Sequence, residues 1–525
     1  MSSYKIHEQV GEVVPWQAKY AYPTQASRAW KGVTKVAPKN GGSWTVKANG
    51  QGSGSLIRFE LPAQGYLNTR NTFLQFDVKL VAGHTAGARF QTNIQTIFRR
   101  VRGLYGSLAL EDIRDYHALV RLLTEGTTAN SNFELDQTAI TEGIAGNVTY
   151  ADNSTVADGT NANSGIGRIG NGRQLAIQSS DSGAYGAVLP SGVTGGGTRR
   201  YQVQLALGLF QQSKLLPLKW MASQIAVELE LAAFDEAVAA GSPLSSADDY
   251  YTVDNLYMLL EIFDFDASYD EAFLEGLRGE GVPIKFSSWD TFVNTPAPGP
   301  NQTILIPERN RSLKAIFTVQ RPQPSVVGTI QTGTGAASGV AVPWDSMAFV
   351  ESSAGLDPSQ PGKCESTGWV SSYQFRIGGK YYPSQPVNGG SGTPNGGAEA
   401  FCEFAKAMNI VGDYRLNLGI DPSRWSNINN GAGLSNVADW WGLGSSDTRL
   451  QVRAGGPTAF VIAADLETSD GTEISGLNGE EQNDIALVIN YGGGASQSTS
   501  AIYDTFVYYD ALLVLRENNV VELIK

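Results

Sequence analysis

Cysteine and histidine are the scarcest functional residues in this sequence, and their scarcity excludes two common ways of cross-linking a fold. The chain has two cysteines and three histidines. Cys364 and Cys402 lie far apart without CxxC spacing, and His7, His84 and His117 are scattered, so the sequence predicts neither a disulfide framework nor a zinc site. We expect both cysteines to be free thiols in a reducing compartment.

Long apolar runs and an excess of positive charge are also missing. No stretch is apolar for long enough to cross a membrane, and the opening MSSYKIHEQV lacks the apolar core of a signal peptide, so we expect neither feature. The formal net charge is −13. That charge argues against a protein that coats nucleic acid, because such a protein needs many Lys and Arg side chains on the phosphates.

Signatures of catalysis are absent as well. GxSxG occurs only as GGSGT (389–393) in a glycine-rich loop, and GGGTRR (195–200) lacks the Gly-Lys-Ser/Thr ending of a P-loop. The acidic runs ETSDGTE (467–473) and GEEQND (479–484) could hold calcium, but they lack EF-hand spacing, which favours a solvated loop. We therefore predict a protein that is not an enzyme, with no catalytic, cofactor-binding or metal-binding residues and no cofactor.

The residues that are plentiful indicate an all-β protein. The 525 residues include 60 glycines, and 42% of the chain is apolar against 17% charged. Glycine permits the positive φ angles of tight turns, while the abundant Val, Phe and Tyr suit half-buried strands. A single hydrophobic core stops growing at about 250 to 300 residues, so the length predicts two large domains.

The first 50 residues have a charge opposite to that of the whole chain. They carry a net charge of +5, and the segment also contains several Trp and Tyr residues. We predict a basic, aromatic arm over residues 1–50, with a solvated leader as the alternative. The basic residues are Lys5, Lys19, Arg28, Lys31, Lys35, Lys39 and Lys47, against Glu8 and Glu12.

The rest of the chain repeats its order of elements. In NTFLQFDVKL (71–80) apolar and polar residues alternate, which predicts a strand with one buried face. A helix is expected in DYHALVRLLTE (115–125) and again in AEAFCEFAKAMNI (398–410). Each half has enough strand candidates for an antiparallel jelly-roll sandwich. The matched pairs are SLIRFEL (55–61) with TILIPE (303–308), NTFLQFDVKL with SLKAIFTVQR (312–321), and FRRVRGLYGS (98–107) with FRIGGKYYPS (375–384), the last pair placing Gly103 on Gly379 and Tyr105 on Tyr381.

These patterns divide the chain into two tandem jelly rolls with a joint between them. Two polar, glycine-rich stretches are too long for ordinary connections and are expected to be surface loops. The joint DASYDEAFLEGLR (266–278) should be a helix that Asp266 or Ser268 caps. The predicted parts are the arm 1–50, a first jelly roll 51–265 with a long loop 126–198, a connecting helix 266–282, and a second jelly roll 283–525 with an insertion at about 323–368.

The stretch FRIGGKYYPSQPV (375–387) resembles the second-half hairpin of double jelly-roll major capsid proteins from tailless icosahedral DNA viruses, in particular those of virophages and polinton-like viruses. The matching residues there are Arg376, Gly378, Gly379, Tyr381, Tyr382, Pro383, Gln385 and Pro386. RRVRGLYGSLALEDI (99–113) and GLFQQSKLLPL (208–218) are similar to first-half segments of the same group. The two long loops and the acidic loop 466–484, with six carboxylates and no base, depart from that group.

The resemblance implies a structural role in a virus particle. It implies a major capsid protein whose homotrimers form pseudo-hexagonal capsomers of an icosahedral shell, located in the virion and made inside the host cell. The implied partners are the chain itself, neighbouring capsomers, penton and other minor capsid proteins and, where one exists, an inner membrane reached through the arm, with no sequence-specific nucleic acid. The alternative is a carbohydrate-binding or carbohydrate-cleaving tandem sandwich, which requires paired carboxylates in one cleft.

Overall fold

The described residues of this computed structural model contain two β-sandwiches, one in each half of the chain. The described ranges are 29–81, 89–90, 94–127, 144–145, 174–175, 198–239, 250–279, 281–297, 299–322, 349, 369–389, 397–411, 420, 425, 460–468, 474–480, 484–492, 501–517 and 520–525.

The first sandwich, roll 1, is built mainly of strands. Its elements in chain order are β1 (Ala29–Val36), β2 (Ser43–Lys47), β3 (Leu56–Glu60), β4 (Tyr66–Val81), β5 (Arg89–Phe90), β6 (Phe98–Tyr105), β7 (Leu108–Ile113), α1 (Tyr116–Thr127), β8 (Ile144–Ala145), β9 (Gln174–Leu175), β10 (Thr198–Val203), α2 (Gly208–Gln211), β11 (Ile225–Leu231), α3 (Phe234–Ala237), β12 (Val238–Ala239) and β13 (Tyr250–Phe265), with 3-10 turns at Ile94–Ile97 and Leu218–Trp220.

A helix connects roll 1 to the second sandwich, roll 2. The remaining elements are α4 (Ala267–Arg278), β14 (Val282–Asn294), β15 (Asn301–Leu305), β16 (Leu313–Pro322), β17 (Trp369–Ile377), β18 (Lys380–Asn388), α5 (Ala398–Ala407), β19 (Ile462–Asp465), β20 (Ile485–Gly492), β21 (Ala501–Arg516) and β22 (Val520–Ile524). None of the helices among these described elements is long and apolar enough to span a membrane.

The two rolls have the same sheet topology. In roll 1 one sheet has the order β1-β13-β4-β10, with β2 also on β13, and the other has the order β3-β11-β6-β7. In roll 2 the corresponding orders are β14-β21-β16-β19, with β22 also on β21, and β15-β20-β17-β18, and the strand pairings within these four sheets are antiparallel. The eight strands in the two orders of roll 1 therefore match the eight strands in the two orders of roll 2 one for one, which confirms two tandem jelly rolls.

Alternation of apolar and polar residues explains why the strands lie where they do. In β4, Leu74, Phe76, Val78 and Leu80 are buried, as predicted. The ring of Phe76 packs 5.7 Å from that of Phe98 on the facing sheet. Each inward side chain of this kind contributes about 1.5 to 3 kcal/mol by leaving water.

The predicted residue-level match between the two central hairpins is wrong, although the elements correspond. Tyr105 pairs with Ile225 at the first residue of β11, and Ile377 pairs with Ile485 at the first residue of β20. Tyr105 therefore corresponds to Ile377, not to Tyr381. The turn, rather than the recurring Gly and Tyr identities, fixes the alignment, because it must occupy the two residues between the paired strands.

The predicted arm over 1–50 is also wrong in part. β1 and β2 both pair with β13 and so belong to a sheet of roll 1. Trp44 and Val46 of β2 point into the core, as the alternation in SWTVK requires. Roll 1 therefore includes residues 29–50, while residues 1–28 of the predicted arm lie outside the described residues.

The connecting helix is fixed to roll 1 by a polar and aromatic cluster. Asp266 caps α4 by accepting a bond from the Tyr269 amide at 3.3 Å, which confirms the predicted cap. The Tyr66 hydroxyl donates to Asp270 of α4 at 2.9 Å and accepts from the Trp220 indole at 3.0 Å.

The predicted long loops 126–198 and 323–368 lie almost wholly outside the described residues. The described residues within them are Gly126–Thr127, β8, β9, Thr198 at the start of β10, and Phe349.

Candidate assembly surfaces

The two rolls meet at a junction built around a buried carboxylate. Glu111 lies on β7, the edge strand of one sheet of roll 1, and is fully buried. Its Oε1 accepts a bond from the Leu209 amide at 2.8 Å, and its Oε2 accepts from the Gly208 amide at 2.8 Å and the Ser288 hydroxyl at 2.5 Å. Because Ser288 belongs to β14, an edge strand of roll 2, these bonds tie both rolls to one carboxylate.

Burial and hydrogen bonding shift the pKa of the Glu111 carboxylate in opposite directions. Burial raises the pKa of Glu111, and the bonds from Ser288, Leu209 and Gly208 partly lower it. Removing one of the donors would leave a buried carboxylate less compensated, which costs more than the net value of the bond.

Close backbone contact at the same junction requires a glycine. A Cβ atom placed on Gly208 would lie 1.8 Å from the Ser287 carbonyl oxygen and 2.7 Å from its carbonyl carbon. No side chain fits at that distance, so α2 lies directly against the backbone of β14.

A second junction cluster contains a buried guanidinium. Arg321 at the end of β16 forms an ion pair with Asp504 of β21, and its Nη2 lies 3.9 Å from Oδ1 of Asp115 in roll 1. Burial and the nearby Asp504 raise the pKa of Asp115 to about 6, while Arg321 and Arg99 oppose that rise. The cluster therefore places an ionisable group of roll 1 against a buried charge of roll 2.

His117 lies beside this cluster. It is fully buried on α1, with no hydrogen-bond partner for either ring nitrogen among the described residues. Burial, and next Arg321 and Arg99, lower the pKa of His117 well below its usual value. A neutral imidazole is therefore the stable form at this position.

The counterpart of β14 in roll 1 is exposed. β1 and β2 have the same position beside β13 that β14 has beside β21. On β14, Ser288 and Trp289 are buried. On β1, the side chains of Trp30 and Val33 are 83% and 67% exposed, so this edge of roll 1 carries exposed apolar side chains.

The acidic loop 466–484 is the counterpart of the segment that covers β14. Leu216 forms an isolated antiparallel β-bridge with Leu67 near the start of β4 in roll 1. Leu477 forms the same kind of bridge with Leu313 at the start of β16 in roll 2. The residues between β19 and Leu477 therefore correspond to those between β10 and Leu216, which include α2. Ile474 in this loop is 58% exposed.

The hairpin FRIGGKYYPSQPV forms an edge of roll 2. Gly378 and Gly379 form its turn, with φ of 57° and 80°, and β18 is the outer strand of its sheet. The ladder shifts register between the Phe375–Tyr382 and Tyr373–Val387 pairs, which leaves the stretch from Pro383 to Pro386 outside the regular pairing. Proline lacks an amide donor, so this strand presents an edge that is blunted against further pairing.

The other residues considered for chemistry are dispersed. Cys402 is exposed on α5, whereas Cys364, His7 and His84 lie outside the described residues. GGSGT falls mostly outside them as well, and the second half of GGGTRR forms the start of β10. In the part of the chain that the structure describes, no three His, Cys, Asp or Glu side chains form a group that could hold a metal ion.

The chain is similar in fold to solved structures of viral capsid proteins. No protein-family model and no curated protein matches the sequence. The chain is similar to PBCV-1 VP54, fitted into a reconstruction of the virophage Sputnik, with TM-score 0.52 and 10% identity over 97% of this chain and 99% of that one. The Faustovirus major capsid protein gives TM-score 0.51 and 9% identity over 97% and 94%. A quasi-atomic model of the PBCV-1 virus capsid gives TM-score 0.52 and 11% identity over 97% and 99%.

These likenesses establish the fold class over nearly the whole chain. The protein has a double jelly-roll fold, with both rolls and the connecting helix inside the matched region. At this level of identity they define the fold, and the role of this chain follows from the surfaces described above.

The sequence did not reveal the junction residues. Glu111, Gly208, Ser288 and Arg321 lie far apart in the chain and form no spacing motif. The one available signal was weak: Glu111 stands in a strand, where glutamate is uncommon, but Asp112 beside it gives the same signal without being at the junction.

Proposed function

We propose that the protein is a major capsid protein that builds the shell of an icosahedral virus. The observation that carries this proposal is the exact repetition of strand order in two rolls that meet edge to edge. Proteins that match this fold over most of their length include one from the PBCV-1 capsid and the major capsid protein of Faustovirus. A duplicated roll gives a subunit two similar edges from which a shell can be tiled.

We propose a homotrimer as the building unit. Inside one chain, β7 and α2 of roll 1 cover β14 of roll 2. The equivalent surfaces, the β1 edge of roll 1 and the outer side of roll 2, are left for other copies. A contact of this kind is heterologous, and a threefold axis closes it into a ring of six similar rolls.

The remaining partners follow from the same role. Trimers would contact neighbouring trimers, penton and other minor capsid proteins and, through residues 1–28, an inner membrane where one exists. The protein would be located in the virion. We place the loops 126–198 and 323–368 on the outward or trimer-contacting side, so limited proteolysis of assembled particles should cut there before it cuts elsewhere.

A carbohydrate-binding or carbohydrate-cleaving protein was the alternative. It receives no support from the structures of similar fold, which are those of capsid proteins.

The mass of the protein in solution tests the proposal. Sedimentation equilibrium at micromolar concentration should give three times the mass of the chain, and electron micrographs of the trimers should show a pseudo-hexagonal outline. A monodisperse monomer at that concentration would contradict the proposal.

A further inference from the structure

We propose that β18 of one copy packs against β1 of the next copy, with Tyr382 lying over Gly32. The partner is a second copy of this chain, and the contact joins roll 2 of one subunit to roll 1 of its neighbour. This inference rests on the proposed trimer and specifies which strands form it.

The junction inside the chain provides the template for this contact. There β7 of roll 1 lies against β14 of roll 2, and the Ser288 hydroxyl donates to Glu111 at 2.5 Å. Just beyond the end of β7, the Arg114 amide donates to the Thr291 hydroxyl of β14 at 3.0 Å. In roll 2, β18 has the place of β7, and in roll 1, β1 has the place of β14. Repeating the internal contact between copies therefore brings β18 onto β1.

The strand pairings show which residue of β1 takes the place of Ser288. The two isolated bridges described above make Leu67 of β4 the counterpart of Leu313 of β16. The residue of β13 that pairs with Leu67 also pairs with Gly32 of β1. The residue of β21 that pairs with Leu313 also pairs with Ser288 of β14. Gly32 is therefore the counterpart of Ser288.

The two hairpins give the matching residue on β18. The alignment that places Tyr105 on Ile377 also places Gly103 of β6 on Phe375 of β17, because the ladders to β11 and β20 are regular between these positions. Gly103 pairs with Glu111, and Phe375 pairs with Tyr382. Tyr382 is therefore the counterpart of Glu111, and the repeated contact sets it opposite the counterpart of Ser288.

The shape of β1 at this point fits a large side chain from another copy. A Cβ atom placed on Gly32 would meet nothing within 4 Å, so the described part of the chain leaves open space where a side chain could stand. Glycine weakens the interior of a strand and often marks a place where another group approaches the backbone closely. A tyrosine ring lying over Gly32 would occupy that space.

Exposed apolar side chains surround the two central residues. On β1, Trp30 and Val33 lie on either side of Gly32 and are 83% and 67% exposed. On β18, Tyr381 lies beside Tyr382 and is 46% exposed. Trp and Tyr residues dominate interface energetics, so their exposure on two facing strands is typical of a binding surface. Neither strand contains an acidic residue, so the contact consists of apolar and aromatic packing.

Cysteine cross-linking tests the contact. In a background in which Cys364 and Cys402 are changed to Ser, Gly32→Cys is combined with Tyr382→Cys. A short bis-maleimide should convert the trimer into a covalently closed trimer on a denaturing gel. The control combines Gly32→Cys with Thr303→Cys, an exposed residue on β15 at the opposite edge of the sheet that contains β18, and should give no covalent trimer.

A second measurement tests the fit of the two strands without cross-links. Gly32→Val adds a side chain that has room within its own chain and suits a strand, so circular dichroism should show a folded protein. The same side chain would collide with Tyr382 of the neighbouring copy, so the dissociation constant of the trimer should rise by about tenfold or more in sedimentation equilibrium. Adding Tyr382→Ala should restore part of the lost affinity.

The matched control is Gly42→Val. Gly42 lies between β1 and β2, and a Cβ atom added there also meets nothing within 4 Å, so this variant should trimerise as the wild type does. A wild-type trimer that neither cross-links between positions 32 and 382 nor weakens with Gly32→Val would overturn the docking contact and leave the proposed function standing. A wild-type monomer would overturn both.

Discussion

Gly208→Ala is the sharpest test of the junction between the rolls. The new Cβ would lie 1.8 Å from the Ser287 carbonyl oxygen, and carbon and oxygen that are not bonded rarely approach within about 3.3 Å. The backbone of β14 would have to retreat by roughly 1.5 Å. The Ser288 hydroxyl, now 2.5 Å from Glu111, would then be too far away to donate.

Two costs add up in that variant. Overpacking costs about 1 to 3 kcal/mol, and the loss of a hydrogen bond to a buried carboxylate costs about 1.5 to 3 kcal/mol. For domains of this size one kcal/mol corresponds to about 2 to 4 °C, so we expect the melting temperature to fall by on the order of 10 °C.

Differential scanning calorimetry measures this fall directly. Gly276→Ala is the matched control, because Gly276 is in α4 and its added Cβ would meet only Val282, at 3.8 Å. Alanine favours a helix over glycine, so the control should melt at the same temperature as the wild type or slightly higher. A Gly208→Ala protein that melts within about a degree of the wild type would refute the close contact.

Two further predictions concern pH and the N-terminal residues. Burial raises the pKa of Asp115 to about 6 and that of Glu308 to about 7. Both values exceed those of about 4 in unfolded chains, so the stability they contribute is present below pH 4 and is lost as pH rises through 6 and 7. Asp115→Asn and Glu308→Gln should each flatten the dependence of melting temperature on pH between 4 and 8, and unchanged slopes would contradict the two assignments. Deleting residues 2–28 should leave a folded trimer with impaired shell assembly. Deleting 2–47 should unfold roll 1 because it removes β1 and β2, and equal thermal stability of the two truncations would be evidence against this.

The sequence predicted strands well where one face of the strand is buried. In β4 the alternation is long enough to define both the strand and its inward side chains. In β2 the same alternation in SWTVK is present over five residues, but the positive charge of the surrounding segment led to the prediction of an arm. Charge describes the outer face of a strand and says little about whether the strand belongs to a sheet.

Residue-level correspondence between the rolls was harder to predict. Matching letters placed Gly103 on Gly379, whereas the backbone places the Gly106–Ser107 turn on the Gly378–Gly379 turn. Turns at the same position can use different residues when only one of them needs a positive φ that glycine supplies at no cost. The two rolls therefore share their strand order, and identical residues in the two sequences do not show which positions correspond.

The buried junction between the rolls and the ion pairs at the surface should respond differently to salt. Glu111 and Arg321 are buried, and separating the rolls would leave their charges without partners. Because these charges are buried, ions in solution screen their interactions little. The surface ion pairs of Arg311 with Glu480 and of Arg516 with Glu522 are about half exposed on both sides. Exposed charges are screened within about 10 Å at 0.1 M salt. Raising the salt concentration should therefore weaken these surface pairs while the two rolls of each chain stay joined.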